Sequence, residues 1–233
     1  MEMISPGQIY LADQRGLVKT QVWRRYSSFN YGDYFNEYRR PFGRLEVWND
    51  EMLAGGKSAI VTVESPCRFV LIPVTGEVLL KKSNGDMRLI DVGEVFVGQA
   101  AAGERFELMN LYESDWINYI YLQLKDNEVV NVACDEVFNF DLTDKQNQLI
   151  NVVPHTADHP FRLHIGQFGG RTDALYRVQS DSSLFYAFVL AGAFELQGRL
   201  MHERDGLALW QLEEADLEAL SNNAVVVILE ILW

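Results

Sequence analysis

The feature that most constrains this chain is that it repeats itself. Phe69 sits in an apolar run that meets Gly76 seven residues on, and Phe185 meets Gly192 at the same offset. A second short strand pattern follows each glycine, at residues 77–80 and 193–196. Each half then reaches an aspartate with a nearby glycine and an apolar stretch, Asp91 with Gly93 and Asp205 with Gly206. Each ends in a long apolar stretch, residues 116–124 and 225–232. A period of about 110 residues is too long for a solenoid and means a duplicated domain. The 233 residues then divide into two units of ordinary small-domain size. The seam is expected between Asp126 and Asp144, where polar residues gather, which gives domains 1–135 and 136–233.

Within each half the local signals are those of strands. Residues 59–63, 69–74 and 118–124 are short and rich in β-branched or aromatic side chains, and glycine-containing turns separate them. Asn84-Gly85 reads as a hairpin turn in which both residues tolerate positive φ. Residues 212–220, LEEADLEAL, are a helix by propensity. The repeat, however, sets Phe106-Glu107-Leu108 opposite Leu217-Glu218-Ala219, so part of that segment is expected as strand. A short helix is expected near residues 141–149, capped by Asp141 or Thr143. The whole predicts an all-β chain of two tandem jelly-roll-like barrels with few short helices.

Charge excludes one class of partner. The formal net charge of −13 leaves no broad basic footprint for nucleic acid. The local cluster Arg24, Arg25, Arg39, Arg40 and Arg44 reads as surface ion pairs, with an anionic ligand or partner as the other reading. No apolar run approaches the roughly 18 residues of a membrane span, and the first ten residues lack a signal-peptide pattern. A cytoplasmic protein with Cys67 and Cys134 as reduced thiols is expected.

Several segments resemble the pirin and pirin-like quercetin dioxygenase family. Residues 28–35 (SFNYGDYF) are similar to its aromatic F-x-F-x-x-Y-Y/F region, and residues 42–50 (FGRLEVWND) to G-F-x-x-L-R-V-x-N-D. Residues 74–78 with Ser83-Asn84-Gly85 resemble L-E-G-x-(V/L)-x-H-x-D-S-x-G, and residues 205–210 (DGLALW) resemble D-G-x-A-(I/L)-W. The resemblance runs from about Ile9 to Leu232 and implies a bicupin, two β-barrels each with contributions from both chain ends.

The same resemblance implies one metal, usually iron, in the N-terminal barrel, held by three His and one Glu. Counting from Gly76 and Gly93 places these positions on Thr62, Glu64, Phe106 and Leu108. A transition-metal centre needs several imidazole or carboxylate donors. Phe106 and Leu108 have none, so no cofactor is expected, with iron only if a quercetinase-type dioxygenase reading holds. Glu64, Arg68 and Arg105 are candidates to line the vestigial pocket, as an internal Glu–Arg pair or as groups that recognise a small polar molecule.

The remaining candidates read as structural. His155, His159 and His164 stand close together, but Pro154 and Pro160 break the segment and no metal-ligand spacing results. His202 is expected at a hairpin tip. Arg68 beside Cys67 could lower the thiol pKa, yet no histidine stands near, and a buried inert cysteine is the reading taken. The aromatic stretch from Trp23 to Tyr38 reads as barrel packing, with a partner surface as the other reading. The chain is therefore expected to be a metal-free binding or regulatory module with a small-molecule ligand in the first barrel. A dioxygenase acting on a small aromatic substrate is the alternative. A cofactor-free enzyme using Glu64 as general base is a third reading. No ligand or protein partner is named by the residues.

Overall fold

The computed structural model describes residues 5–126 and 135–232. Cys134 and residues 127–134 of the expected seam lie outside them. The chain divides into two compact units, one of Arg15–Asn139 and one of Met1–Gln14 with Phe140–Trp233. Among the described residues no helix is long and apolar enough to cross a membrane.

Strand β1 (Gly7–Tyr10) belongs to the second unit. The first unit holds β2 (Gly16–Lys19), β3 (Trp23–Ser27), β4 (Leu45–Leu53), β5 (Ser58–Thr62), β6 (Cys67–Thr75), β7 (Val78–Lys82), β8 (Met87–Ile90), β9 (Glu94–Ala100), β10 (Arg105–Met109), β11 (Ile117–Lys125) and β12 (Glu136–Asn139). They form two antiparallel sheets, β12-β9-β6-β11-β4-β3-β2 and β5-β10-β7-β8. The second unit continues with β13 (Gln148–Val153), β14 (Phe161–Phe168), β15 (Thr172–Arg177), β16 (Leu184–Ala191), β17 (Phe194–Leu196), β18 (Arg199–Met201), β19 (Gly206–Leu209), β20 (Glu214–Ala219) and β21 (Ala224–Ile231). Its sheets are β1-β19-β16-β21-β14-β13 and β15-β20-β17-β18.

The domain boundary is corrected at both ends. Glu136–Asn139 pairs with β9 and stays with the first barrel. Gly7–Tyr10 pairs with β19, and buried Asp205 accepts the Ala12 N–H at 2.7 Å, so the first residues close the second barrel. Only the second unit is built from both chain ends.

The duplication is visible residue by residue. Phe69 lies opposite Gln123, which lies opposite Val47; Phe185 lies opposite Glu230, which lies opposite Arg162. The repeated glycines have one cause. Gly76 and Gly192 take φ of +71° and +75°, and a Cβ on them would come within 2.6 Å of Ile117 and 2.3 Å of Ser221 Oγ. Six of the nine residues of LEEADLEAL, Glu214–Ala219, are strand β20. Its register differs from the expectation by two residues: Leu217 pairs with Leu196 as Leu108 pairs with Leu80, so Leu217 corresponds to Leu108. No helix forms at residues 141–149. Bends and turns lead directly into β13, and the only helical turn among the described residues is a 3-10 turn at Ala12–Gln14.

Each barrel closes over its own apolar cluster. The first is built around Val61, Val63, Phe69, Leu71, Leu80, Phe96, Phe106, Leu108 and Tyr121. The second is built around Phe168, Phe185, Phe194, Leu207, Leu217 and Ile228.

Candidate functional site in the first barrel

Strand alternation decides which side chains enter the barrel. On β10, Phe106 and Leu108 are buried at 2% and 0% exposure, while Arg105 faces solvent. Phe106 lies directly opposite Val61, so Val61 shares its inward face, and Val63 follows two residues on. Thr62 and Glu64 point the other way and are exposed. Two of the four expected positions, Phe106 and Leu108, are thus inside, and two, Thr62 and Glu64, are one residue out of register. The interior pair is Val61 and Val63. A one-residue slip moves a whole strand's side chains to the other face, and the count from Gly76 crosses the bend at Glu64-Ser65, where strand counting fails.

The interior is filled by rings. Phe106 stacks on Phe69, Tyr121 meets Phe106 nearly edge-on at 6.1 Å, and Phe96 lies 5.6 Å from Phe69. Beside this apolar floor stands a polar group that sequence reading missed. Asn49 and Glu51 lie on the same face of β4 as Val47 and Leu53, and so point inward. The Glu51 carboxylate accepts from Trp23 Nε1 at 3.0 Å, from the Tyr119 hydroxyl at 3.2 Å and from Asn49 Nδ2 at 3.2 Å. Burial raises the Glu51 pKa, against the pull of those donors and of Arg25. Burial also pushes Tyr31 up to about 12, helped by Glu51, and lifts Tyr119 and Tyr121 well above the ordinary phenol value. Gln123 Nε2 donates to the Tyr121 hydroxyl. Asn49 Oδ1 and Arg25 Nε are buried without a hydrogen-bond partner among the described residues. The signal for Glu51 was present in the sequence: a carboxylate two residues before Leu53, in phase with the apolar residues of a strand.

A family model described as the quercetinase C-terminal cupin domain matches residues 159–231. The chain superimposes on YhhW from Escherichia coli with a TM-score of 0.85 at 18% identity, covering 97% of each chain. The same bacterial pirin in complex with nickel(II) gives 0.82 at 17%, over 97% of this chain and 99% of that one. The fold is that of a pirin-like bicupin. A quercetin 2,3-dioxygenase from Acinetobacter baumannii shares this pirin-like fold at a TM-score of 0.74 and 15% identity, over 97% of this chain and 85% of that one. No curated protein sequence matches the chain.

Within this bicupin the other sequence candidates fall apart. Arg68 is buried and pairs with Asp126 at 3.0 Å, not with Glu64. Glu64 makes no ion pair among the described residues, and Arg105 lines a shallow surface cleft with Ile60, Lys81 and Glu107. The expected Glu64–Arg pocket does not form. Cys67 is buried, and burial pushes its thiol up to about 12, the opposite of an activated nucleophile. Arg24 lies over Trp116, and Arg25 over Trp23 and Tyr31, so these two cations stack on rings where ion pairs were expected. Of the aromatic stretch, Phe29 is fully buried, whereas Phe35 and Tyr38 are 78% and 73% exposed.

The histidines of the pirin-like fold scatter. His155 and His202 are exposed, and His159 is buried in a turn whose Thr156 hydroxyl accepts its N–H. His164 is buried inside the second barrel, edge-on to Tyr176 at 4.9 Å. Near it fully buried Glu230 accepts from the Tyr176 hydroxyl at 2.7 Å and the Gln179 N–H at 2.6 Å, and pairs with Arg162 at 3.4 Å. Among the described residues no three His, Cys, Asp or Glu side chains converge to hold a metal ion.

Proposed function

We propose that this chain is a metal-free bicupin whose first barrel serves binding or regulation and not oxygen chemistry. One observation carries the reading: the inward positions Val61, Val63, Phe106 and Leu108 present hydrocarbon where the resemblance implies four metal donors. Iron or nickel bound by imidazole and carboxylate does not fit that set. Ring stacking of Phe106 on Phe69 fills the same space. Glu51, already engaged by three donors, is a single carboxylate and cannot hold a transition metal alone.

The likeness to a quercetin 2,3-dioxygenase supports the fold, and fold does not fix function. The third reading loses its residue, since Glu64 is exposed on the outer face. The experiment is oxygen uptake with quercetin, using protein from iron- and nickel-supplemented cultures. The reading expects uptake no faster than in a heat-denatured control. Sustained turnover that follows protein concentration would overturn it.

A further inference from the structure

The flank of the first barrel carries a second polar feature, away from Glu51. Gly85 N–H bonds Lys82 C=O at 3.0 Å and Lys82 N–H bonds Asp86 C=O at 2.9 Å, closing the β7–β8 hairpin. Only Gly85 takes positive φ, +92°, so the turn is a type I turn with a glycine bulge, and the expectation of two positive φ values is corrected. The hairpin aims Lys82 inward, on the face of Val78 and Leu80 and directly opposite Phe106. Its side chain is 8% exposed, and its ammonium meets Asp135 at 2.7 Å and lies 5.7 Å from the Phe69 ring centroid.

A cavity of about 210 Å³ opens here, walled by Leu80, Met87 and Phe96 and edged by Lys82, Arg88, Asp86 and Asp135. An ammonium donates three hydrogen bonds, and Asp135 takes one. Arg88 lies opposite Leu80 in the ladder, so it leaves the same face as Lys82, and it makes no ion pair among the described residues. Asp86 is engaged by Asn84 Nδ2 at 2.6 Å. Lys82 keeps two ammonium protons, and Arg88 its guanidinium, for an incoming acceptor, while the Asp86 and Asp135 carboxylates stand at the same rim.

We infer that this cavity binds a small monocarboxylate with a flat apolar body, its carboxylate on Lys82 and Arg88 and its ring over Met87, the exposed apolar side chain of the lining. A charge-assisted bond to a buried ammonium fixes orientation, and the apolar wall supplies contact area. Asp135 holds the Lys82 ammonium at 2.7 Å and competes with an incoming carboxylate. The inference deepens the binding reading above and fails separately from it. Bound iron would overturn that reading and leave the cavity intact, and a cavity that ignores carboxylates would leave the barrel metal-free.

Isothermal titration with benzoate at low salt and pH 7 tests it, with benzamide as the neutral isostere. The intact chain is expected to bind benzoate with a Kd below about 1 mM and benzamide roughly tenfold more weakly or worse. Lys82→Met is expected to lose roughly tenfold or more, and Arg88→Gln several-fold. Asp135→Asn is expected to tighten binding. Arg88 is exposed, so its variant reads the site even if Lys82→Met does not fold. Absence of benzoate binding at millimolar concentration, equal binding of benzamide, or unchanged affinity in Arg88→Gln would each overturn the inference.

Discussion

Phe106 lies face to face with Phe69, their ring centroids 4.6 Å apart and their planes 17° from parallel. Phe106 holds one of the positions where the family resemblance implies a metal donor, and Phe69 opens the internal repeat. The contact joins the four-stranded sheet to the seven-stranded sheet across the first barrel. The implied donor positions all lie on the β5–β10 side, within the four-stranded sheet, and the tie from there to the seven-stranded sheet is hydrophobic burial and ring contact.

Removing that tie should be costly. Phe106→Ala deletes a side chain that is 2% exposed and is expected to destabilise the chain by about 3–5 kcal/mol in urea unfolding. A loss below about 1 kcal/mol would mean that the interior collapses readily and that the ring is not a strut.

The facing of residues 62–64, at the end of β5, has its own test. Val63→Lys places a charge in the closed interior and is expected to abolish stable folding or cost several kcal/mol. Thr62→Lys and Glu64→Lys, on the exposed face, should each stay within about 0.5 kcal/mol of the parent. The reverse ranking would restore the register counted from Gly76.

Glu51 has a pKa raised above its ordinary 4.5 by burial. The folded state therefore holds this proton more tightly than the unfolded chain, and Glu51 costs stability as the pH rises above 4.5. Glu51→Gln keeps an acceptor for Trp23 and Tyr119 and can satisfy Asn49, so it should be at least as stable as the parent at pH 8, with a weaker loss on going alkaline. Glu51→Ala leaves buried donors unpaired and should lose about 1–3 kcal/mol for each. Denaturant midpoints across pH 5–8 separate the two.

His164 acts in the opposite direction. Burial, then Arg162, depress it from 6.5 to about 4, with Glu230 opposing. Between those values the unfolded chain takes up a proton that the folded chain does not, so its contribution is full above 6.5 and lost as the pH falls toward 4. The slope from one such group is at most about 1.4 kcal/mol per pH unit. His164→Phe keeps an edge-on ring beside Tyr176 and should flatten the acid limb of the stability profile. An unchanged limb would place the acid sensitivity in other groups.

Much of the fold was legible because duplication leaves marks that do not depend on side-chain contacts. Gly76 and Gly192 answer to the same left-handed turn and the same close approach, so a count of residues found both. The strand in LEEADLEAL was legible only through that repeat, since local propensity favours helix there. The membership of residues 7–10 in the second barrel was not legible, because it rests on hydrogen bonds to residues some 200 positions away. In the site, Phe106 and Leu108 were found by the count from Gly93. Val61 and Val63 were missed because the bend at Glu64-Ser65 lies between them and Gly76. Glu51 and Lys82 were missed because a charged residue in an amphipathic strand reads as solvent-facing until its neighbours are known. The Glu51 partners come from three strands, and the Lys82 partner lies 53 residues away.

The central claim is that the interior of the first barrel is closed by hydrocarbon where an ion would need donors. Elemental analysis of the full chain tests it directly, after growth with iron, nickel or zinc and dialysis without chelator. The account predicts well under one metal ion in every ten chains for each element, and an unfolding midpoint unchanged by added metal. One ion per chain, retained through dialysis and lost in Glu51→Gln, would contradict it.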